Sequence, residues 1–363
     1  MEFECGTLEE LVVMEFKELN GARILITGHT GFKGFWLSRL LRKFGSETHG
    51  ISLAPKVGSL FDRAKCEDFA SSSFLDITQQ QDLLVLMKRI NPDAVIHMAA
   101  QPLVRHSYRE PLLTFSTNVM GTANILESMR KVENARGAVV VTSDKVYKNL
   151  ETGQAYKEED ELGGKDPYSA SKSACEMVVS TWRILMKLES KKMVVSARAG
   201  NIIGGGDNSQ DRLLPDLIRS FRSGSPATLR CPGSIRPWQH VLDPLVGYVI
   251  LLSCILKGDD ISDSYNFGPN QESKLTVSEI AKLAYQELGG VESWVLQKAD
   301  QSLPEANLLW LDSSKAIDEL GWRPRLNVRE AVRWTIKWEK EFQSRGVVWG
   351  IDNQIAEYLD LAL

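Results

Sequence analysis

Tyr168 and Lys172, four residues apart in Tyr-Ser-Ala-Ser-Lys, are the first candidates for chemistry in this chain. On a helix that spacing puts both side chains on one face, a single turn apart. A free phenol has a pKa of ~10 and is a poor base at neutral pH. A neighbouring ammonium favours the phenolate, and it can also hold a ribose hydroxyl. Taken alone the spacing is common by chance, and describes a surface lysine beside a half-buried tyrosine. Its weight comes from a glycine-rich turn about 140 residues earlier.

That turn reads Thr27-Gly28-His29-Thr30-Gly31-Phe32-Lys33-Gly34, and joins an apolar run to a helical pattern. Glycines at 28, 31 and 34 let backbone turn tightly and approach a diphosphate, and the helix start offers free N–H groups to the anion. The spacing is GxxGxxG rather than GxGxxG, so the strand before and helix after carry the reading. A third group is Ser143-Asp144-Lys145, inside Val141-Thr-Ser-Asp-Lys-Val-Tyr147. Hydroxyl, carboxylate and ammonium in succession can bond a sugar, protonate a leaving hydroxyl and abstract a proton. A plain loop with a turn-initiating Asp is the bland alternative.

The elements that must position these groups alternate. Short β-branched runs at 23–27, 48–53, 74–75, 94–97, 138–142 and 193–198 read as strands. Helical periodicity fills 32–44, 78–90, 112–131 and 168–189 between them. This βαβ rhythm implies a Rossmann-type α/β fold, a doubly wound parallel sheet with right-handed crossovers. Ligands of such sheets bind at the carboxyl edge, where all three groups fall. Beyond Gly204 the rhythm loosens into a smaller mixed lobe. The expected division is an N-terminal extension at 1–20, a Rossmann domain at 21–204 that also receives 241–268, and a lobe made of 205–240 and 269–363.

Composition narrows the class. With 43 basic and 47 acidic residues the formal charge is −4, so no polyanion track is expected, and nucleic acid is excluded as a partner. The longest apolar stretch, between Asp243 and Lys257, is too short to span a membrane and reads as a core helix. The acidic start (Glu2, Glu4, Glu9, Glu10) is unlike a signal or transit peptide. Cys5, Cys66, Cys175, Cys231 and Cys254 are odd in number, without a CxxC pair, as expected of reduced cytoplasmic thiols and not of a metal site.

Together these motifs resemble the extended short-chain dehydrogenase/reductases of the nucleotide-sugar branch. Gly-His-Thr-Gly-Phe-Lys-Gly (28–34), Thr-Ser-Asp-Lys-Val-Tyr (142–147), Arg-Ala-Gly-Asn-Ile-Ile-Gly-Gly-Gly-Asp (198–207) and Arg-Pro-Trp-Gln-His-Val (236–241) are similar to the CDP-D-glucose 4,6-dehydratases within it. The likeness runs from about 20 to 345. It implies NAD as cofactor, held by Gly28, Thr30, Gly31, Phe32, Lys33, Gly34, Ser52, Asp76, Ile77, Ala99, Ala100 and Gln101 with Tyr168 and Lys172. It implies a nucleotide-sugar substrate contacted by Gln101, Asn118, Asn201, Arg212, Arg236 and His240.

The implied reaction is oxidation at C4, loss of water across C5/C6 and hydride return to C6. In it Tyr168 takes the O4 proton, Ser143 bonds the same oxygen and Asp144 protonates the leaving O6. Lys145 stands where the dTDP-glucose dehydratases carry Glu, and is either the C5 base or an electrostatic stabiliser of the enolate. The second strand ends in His49-Gly50-Ile51-Ser52-Leu53, without the carboxylate that binds a ribose 2′-hydroxyl, and Lys33 lies in the adjacent loop. NADP therefore stays open beside NAD. A 4-epimerase, a dehydratase of another nucleotide (dTDP, UDP or GDP) and a catalytically silent dinucleotide-binding scaffold are the alternatives. Helices 112–131 and 168–189 are the pair this superfamily uses for dimer contact. Their apolar residues Leu113, Val119, Ile125, Met177, Trp182 and Leu185 suit a homodimer or homotetramer, and suit burial on the sheet equally.

Overall fold

Seven short strands form one wholly parallel sheet in the computed structural model, which describes residues 16–65, 69–150, 153–270, 273–296 and 309–361. They are β1 (Arg23–Thr27), β2 (Glu47–Ser52), β3 (Ser71–Phe74), β4 (Ala94–His97), β5 (Gly137–Val141), β6 (Met193–Ala199) and β7 (Ser264–Phe267). Their spatial order is 7-6-5-4-1-2-3, so the direction of winding reverses between β1 and β4. The pairings Thr27 with both Ile51 and His97, and Val141 with Ala197, bring the carboxyl ends of the central strands level.

Both faces of the central strands are covered, which is why β1, β4 and β5 read as unbroken apolar runs, whereas the edge-side β2 and β3 are polar. Successive side chains point to opposite faces. Ile24, Ile26, Ile96, Val139 and Val195 pack under α1 (Phe32–Lys43) and, from later in the chain, the apolar helix Leu242–Lys257. Leu25, Val95, Ala138, Val140 and Val194 pack under α2 (Gln80–Ile90), α3 (111–130) and α4 (Pro167–Glu189). The helix Leu242–Lys257 is α5. Continuity of α3 is broken at Ser116–Met120 by a π turn between Pro111–Phe115 and Gly121–Arg130, which helical periodicity alone does not reveal.

The lobe has its own core. Helices Leu213–Ser223 and Val277–Leu288, a parallel pair Ala227–Leu229 and Trp294–Leu296, and one face of Val328–Arg345 bury Leu217, Ile280, Tyr285 and Val332 together. Two expected boundaries shift. The tail does not stay with the lobe: Trp322, Leu326 and helix Val347–Asp360 join the sheet core, and Arg39 of α1 pairs with Asp352 through two bonds of 2.9 and 2.5 Å. Helical periodicity defines the tail helix's apolar face but not its partner. Nor do residues 16–20 stand apart as an extension, since Leu19 is fully buried and the Phe16 and Phe44 rings meet at 4.9 Å. Residues 1–15 of the expected extension, with Cys5, lie outside the described residues, as does Cys66; Cys175, Cys231 and Cys254 are free thiols.

Candidate active site

A cavity of about 980 Å³ opens along the carboxyl ends of the strands and extends between sheet and lobe. Its first wall is the glycine turn. Gly28 has φ +78°, and a Cβ there would sit 2.9 Å from the Ala99 nitrogen. A Cβ on Gly34 would meet the Gly28 carbonyl at 2.2 Å. Gly31 starts α1 with no side-chain cap, leaving the first-turn N–H groups to whatever enters the cavity. This uncapped cradle, too tight for any side chain, fits a dinucleotide diphosphate.

The loop is tied to its neighbours by hydroxyls. Thr30 Oγ1 lies 2.8 Å from Ser52 Oγ and donates to the Leu53 carbonyl at 3.1 Å. Thr27 Oγ1 accepts from the Met98 and Ala99 nitrogens, each at 3.1 Å, which levels the β1 and β4 exits. Asp76 and Ile77 line the β3 end, where Asp76 Oδ1 accepts from Thr78 N and Oγ1 at 2.9 Å each. Phe32, Ala99, Ala100 and Gln101 line the middle. The Gln101 amide is spent within its loop, donating to Thr114 Oγ1 (2.8 Å) and accepting from Leu103 N (2.7 Å).

Lys33 turns away from the β2 end. Its ammonium donates to the Tyr248 hydroxyl on α5 at 3.3 Å, under the opposite half of the sheet. A role beside a ribose 2′-phosphate is therefore corrected. Burial, then the charges of Lys172 and Arg212, push the Lys33 pKa down to about 7.

The candidate proton-handling groups meet where β5 and β6 end. Ser143 Oγ accepts from Lys145 N at 3.2 Å and donates to Asp144 Oδ1 at 2.9 Å. Lys145 Nζ lies 3.2 and 3.4 Å from the two Asp144 oxygens. Asp144 is only 1% exposed, and Gly200 makes room for it: a Cβ there would sit 2.6 Å from Oδ2. Asp166 caps α4 through Ser169 N at 2.9 Å, with Pro167 in the first turn, and this sets Tyr168 and Lys172 over the β5 exit. Burial drives the Tyr168 phenol up to about 12, opposed by its bond with Ser143 and the charge of Arg212. Lys172 is not its main counterweight; the ammonium donates to the Val141 carbonyl at 3.4 Å, and burial lowers its pKa.

Of the expected sugar- and nucleotide-side residues, Asn201, Arg212 and Arg236 line the lobe end of the cavity, with Arg212 3.2 Å from Asp207. Two others do not reach it. Asn118 is a buttress: Oδ1 accepts from Gln101 N (2.8 Å), while Nδ2 donates to Gln101 O (3.2 Å) and Ser171 Oγ (2.9 Å). His240 is fully buried, edge-on to the rings of Trp36 (5.9 Å) and Trp334 (5.6 Å), and burial pushes its pKa down to about 3. It is a neutral core histidine, because tertiary packing turned the strand Gln239–His240 inward. Among the described residues no group of His, Cys, Asp or Glu side chains could hold a metal, and no helix is long and apolar enough to cross a membrane.

The profile of the GDP-mannose 4,6 dehydratase family matches residues 25–335. The chain belongs to this family. It is 43% identical over 88% of its length to a CDP-glucose 4,6-dehydratase of Salmonella typhimurium, and the match covers 91% of that protein. A dTDP-glucose 4,6-dehydratase from the same organism is 25% identical, with 87% and 92% of the two chains covered. The fold is shared with a solved dTDP-glucose 4,6-dehydratase of Streptomyces venezuelae carrying NAD (TM-score 0.76, 22% identity, 89% and 98% covered). It is shared too with a Thermus thermophilus UDP-glucose 4-epimerase in complex with NAD (TM-score 0.74, 23%, 87% and 98%).

Three further residues belong beside this family's site. Arg230 lines the lobe end, 3.2 Å from Asp211. Glu176 and Arg198 form a buried ion pair at 2.8 Å behind the β5 and β6 exits. Glu176 stands one turn beyond Lys172, a spacing that could have flagged it, and Arg198 interrupts an apolar strand. For Arg230 the sequence holds no comparable signal.

Proposed function

We propose that this protein converts CDP-D-glucose to CDP-4-keto-6-deoxy-D-glucose with NAD. The observation that carries the reading is the meeting of Ser143, Asp144, Lys145, Tyr168 and Lys172 in one cavity with a glycine cradle, in a chain 43% identical to a CDP-glucose 4,6-dehydratase. When bound, the dinucleotide accepts hydride from C4 and returns it to C6. Tyr168 takes the O4 proton, and Ser143 bonds both this oxygen and the phenol, easing a charge that burial opposes. Lys172 holds the ribose, and the positive charge of Arg212 favours the phenolate. Once C4 is a ketone the C5 proton is acidic, and Asp144 protonates the departing O6. Lys145, held against Asp144, faces the C5 side as base or as the cation that stabilises the enolate.

Arg212, Arg230 and Arg236 supply the lobe end with guanidinium groups suited to a nucleotide diphosphate, and Asn201 lies beside them. Asp144 and Lys145 favour dehydration over epimerisation, which needs no acid at O6. A nucleotide-sugar substrate and free thiols fit a reducing cytoplasmic compartment. The oligomer proposed is a homodimer. Ile125 belongs to the sheet core, but Leu112, Phe115 and Met120 on α3 and Met177, Ile184 and Leu188 on α4 are exposed and adjacent. A second copy covers this face. The deciding assay incubates the protein and NAD with CDP-, dTDP-, UDP- and GDP-hexoses and reads the alkaline absorbance of a 4-keto-6-deoxy sugar. CDP-glucose is expected to give it; silence with all four refutes the reading.

A further inference from the structure

The turn that carries Ser143, Asp144 and Lys145 runs from Thr142 to Tyr147, and both of its ends are fastened to the same buried ion pair. Thr142 Oγ1 donates to Glu176 Oε1 at 2.5 Å. At the other end Arg198 donates to the Tyr147 hydroxyl at 2.8 Å, with the guanidinium 5.2 Å from the ring centroid. Between them Arg198 grips Glu176 through two parallel bonds, Nε to Oε1 at 3.0 Å and the terminal nitrogen to Oε2 at 2.8 Å. Ser196 adds a donor to Oε2 at 2.8 Å, and the Tyr147 hydroxyl donates to Asn266 Oδ1 at 2.7 Å.

Glu176 lies on α4 at the spacing of Tyr168 and Lys172, one turn further along, so the pair joins that helix face to β6 and to the turn after β5. Burial opposes both charges, yet Glu176 is held below the ordinary carboxylate range by Arg198. Burying two charges costs several kcal/mol per ion before their attraction is counted. Apolar residues would fill the space at lower cost, so the pair is not explained by stability.

We propose that Glu176 and Arg198 are positioning residues that set the acid-bearing turn against Tyr168. Neither residue lines the cavity; the pair fixes where Asp144 stands relative to the phenol. A shift of about 1 Å in a reacting group costs on the order of 100-fold in rate. The kinetic half of this inference rests on the dehydratase reading; the exchange half does not.

Removing either charge risks the fold, so the test removes one arm at a time. Thr142→Val and Tyr147→Phe each delete one hydroxyl and leave the ion pair whole. Tyr358→Phe, which deletes a buried 2.6 Å bond to Asp243 away from the cavity, is the control for general loosening. In ligand-free protein, amide hydrogen exchange over 143–147 is expected to quicken at least ~10-fold in T142V and Y147F, and to be unchanged in Y358F. With CDP-glucose, kcat is expected to fall about 10- to 100-fold in both with KM within about threefold. The steady-state absorbance at 340 nm is expected to rise, because elimination slows more than oxidation. Thr142→Ser restores wild-type behaviour. Unchanged exchange at 143–147, or equal losses in Y358F, overturns the proposal, and the exchange result stands whether or not CDP-glucose is the substrate.

Discussion

Gly200 offers the cleanest way to move Asp144 without changing it. It follows β6 with an ordinary backbone conformation, so alanine brings no φ penalty. Its added Cβ, however, would sit 2.6 Å from Asp144 Oδ2 and 2.8 Å from Cγ. Van der Waals contact begins near 3.4 Å, so the carboxylate must retreat by about 0.8 Å, and the Lys145 ammonium bonded to it must follow. Displacement on that scale costs on the order of 100-fold, or ~2.7 kcal/mol, in a step that uses the carboxylate. Oxidation at C4, proposed for Tyr168 and Ser143, is expected to be spared. In stopped flow, Gly200→Ala is expected to keep the initial rise at 340 nm within about threefold of wild type, while release of the 4-keto-6-deoxy product slows about 100-fold. Asp144→Asn should show the same pattern with the geometry intact. Equal slowing of both phases, or of neither, refutes the assignment of Asp144 to the elimination step.

Lys145→Ala should slow exchange of a C5 deuterium label more than initial reduction of NAD, as mass spectrometry of product and 340 nm absorbance will read; if neither changes, Lys145 has no part at C5. Asp243 accepts from Tyr358 (2.6 Å) and Arg325 N (2.8 Å), while its other oxygen is buried without a partner, and burial pushes its pKa up to about 6. A raised folded pKa favours the protonated form, so stability is full below pH ~4 and is lost as pH climbs to ~6, by ~3 kcal/mol. Urea unfolding should therefore show Asp243→Asn gaining on wild type by that order between pH 4 and pH 7; a pH-independent difference rejects the titration. Ile184→Glu with Leu188→Glu should convert a dimer to monomer in sedimentation without lowering the melting temperature by more than a few degrees, whereas an unaltered mass excludes this face as the interface.

The central sheet was legible because β1, β4 and β5 are apolar on both faces and the helices are periodic, patterns that burial imposes locally. The positions of β1, β4 and β5 and of helices α1, α4 and α5 follow within a residue or two. Glycine spacing and Ser143 to Lys145 were legible too, since each follows a strand and parallel strands bring all exits to one edge, and Tyr168 with Lys172 was legible by its one-turn helical spacing. Side-chain direction was not. His240 lies two residues beyond Trp238 in a string that invites a ligand role, yet packing between Trp36 and Trp334 turned it inward. Lys33 belongs to the glycine loop, but its ammonium crosses to Tyr248 on α5, more than 200 residues later in the chain.

The amino-acid order by itself determined the fold class, the family and the candidate residues for proton transfer, because these depend on short-range spacing and on which edge of a parallel sheet a loop occupies. Only the tertiary structure decided which helix covers α1, that Asn118 buttresses Gln101, and that Glu176 and Arg198 clamp the acid-bearing turn at both ends. Those relations join residues tens to hundreds of positions apart, and no local period encodes them. They arise when the folded chain brings buried charges and apolar faces to partners far away in sequence.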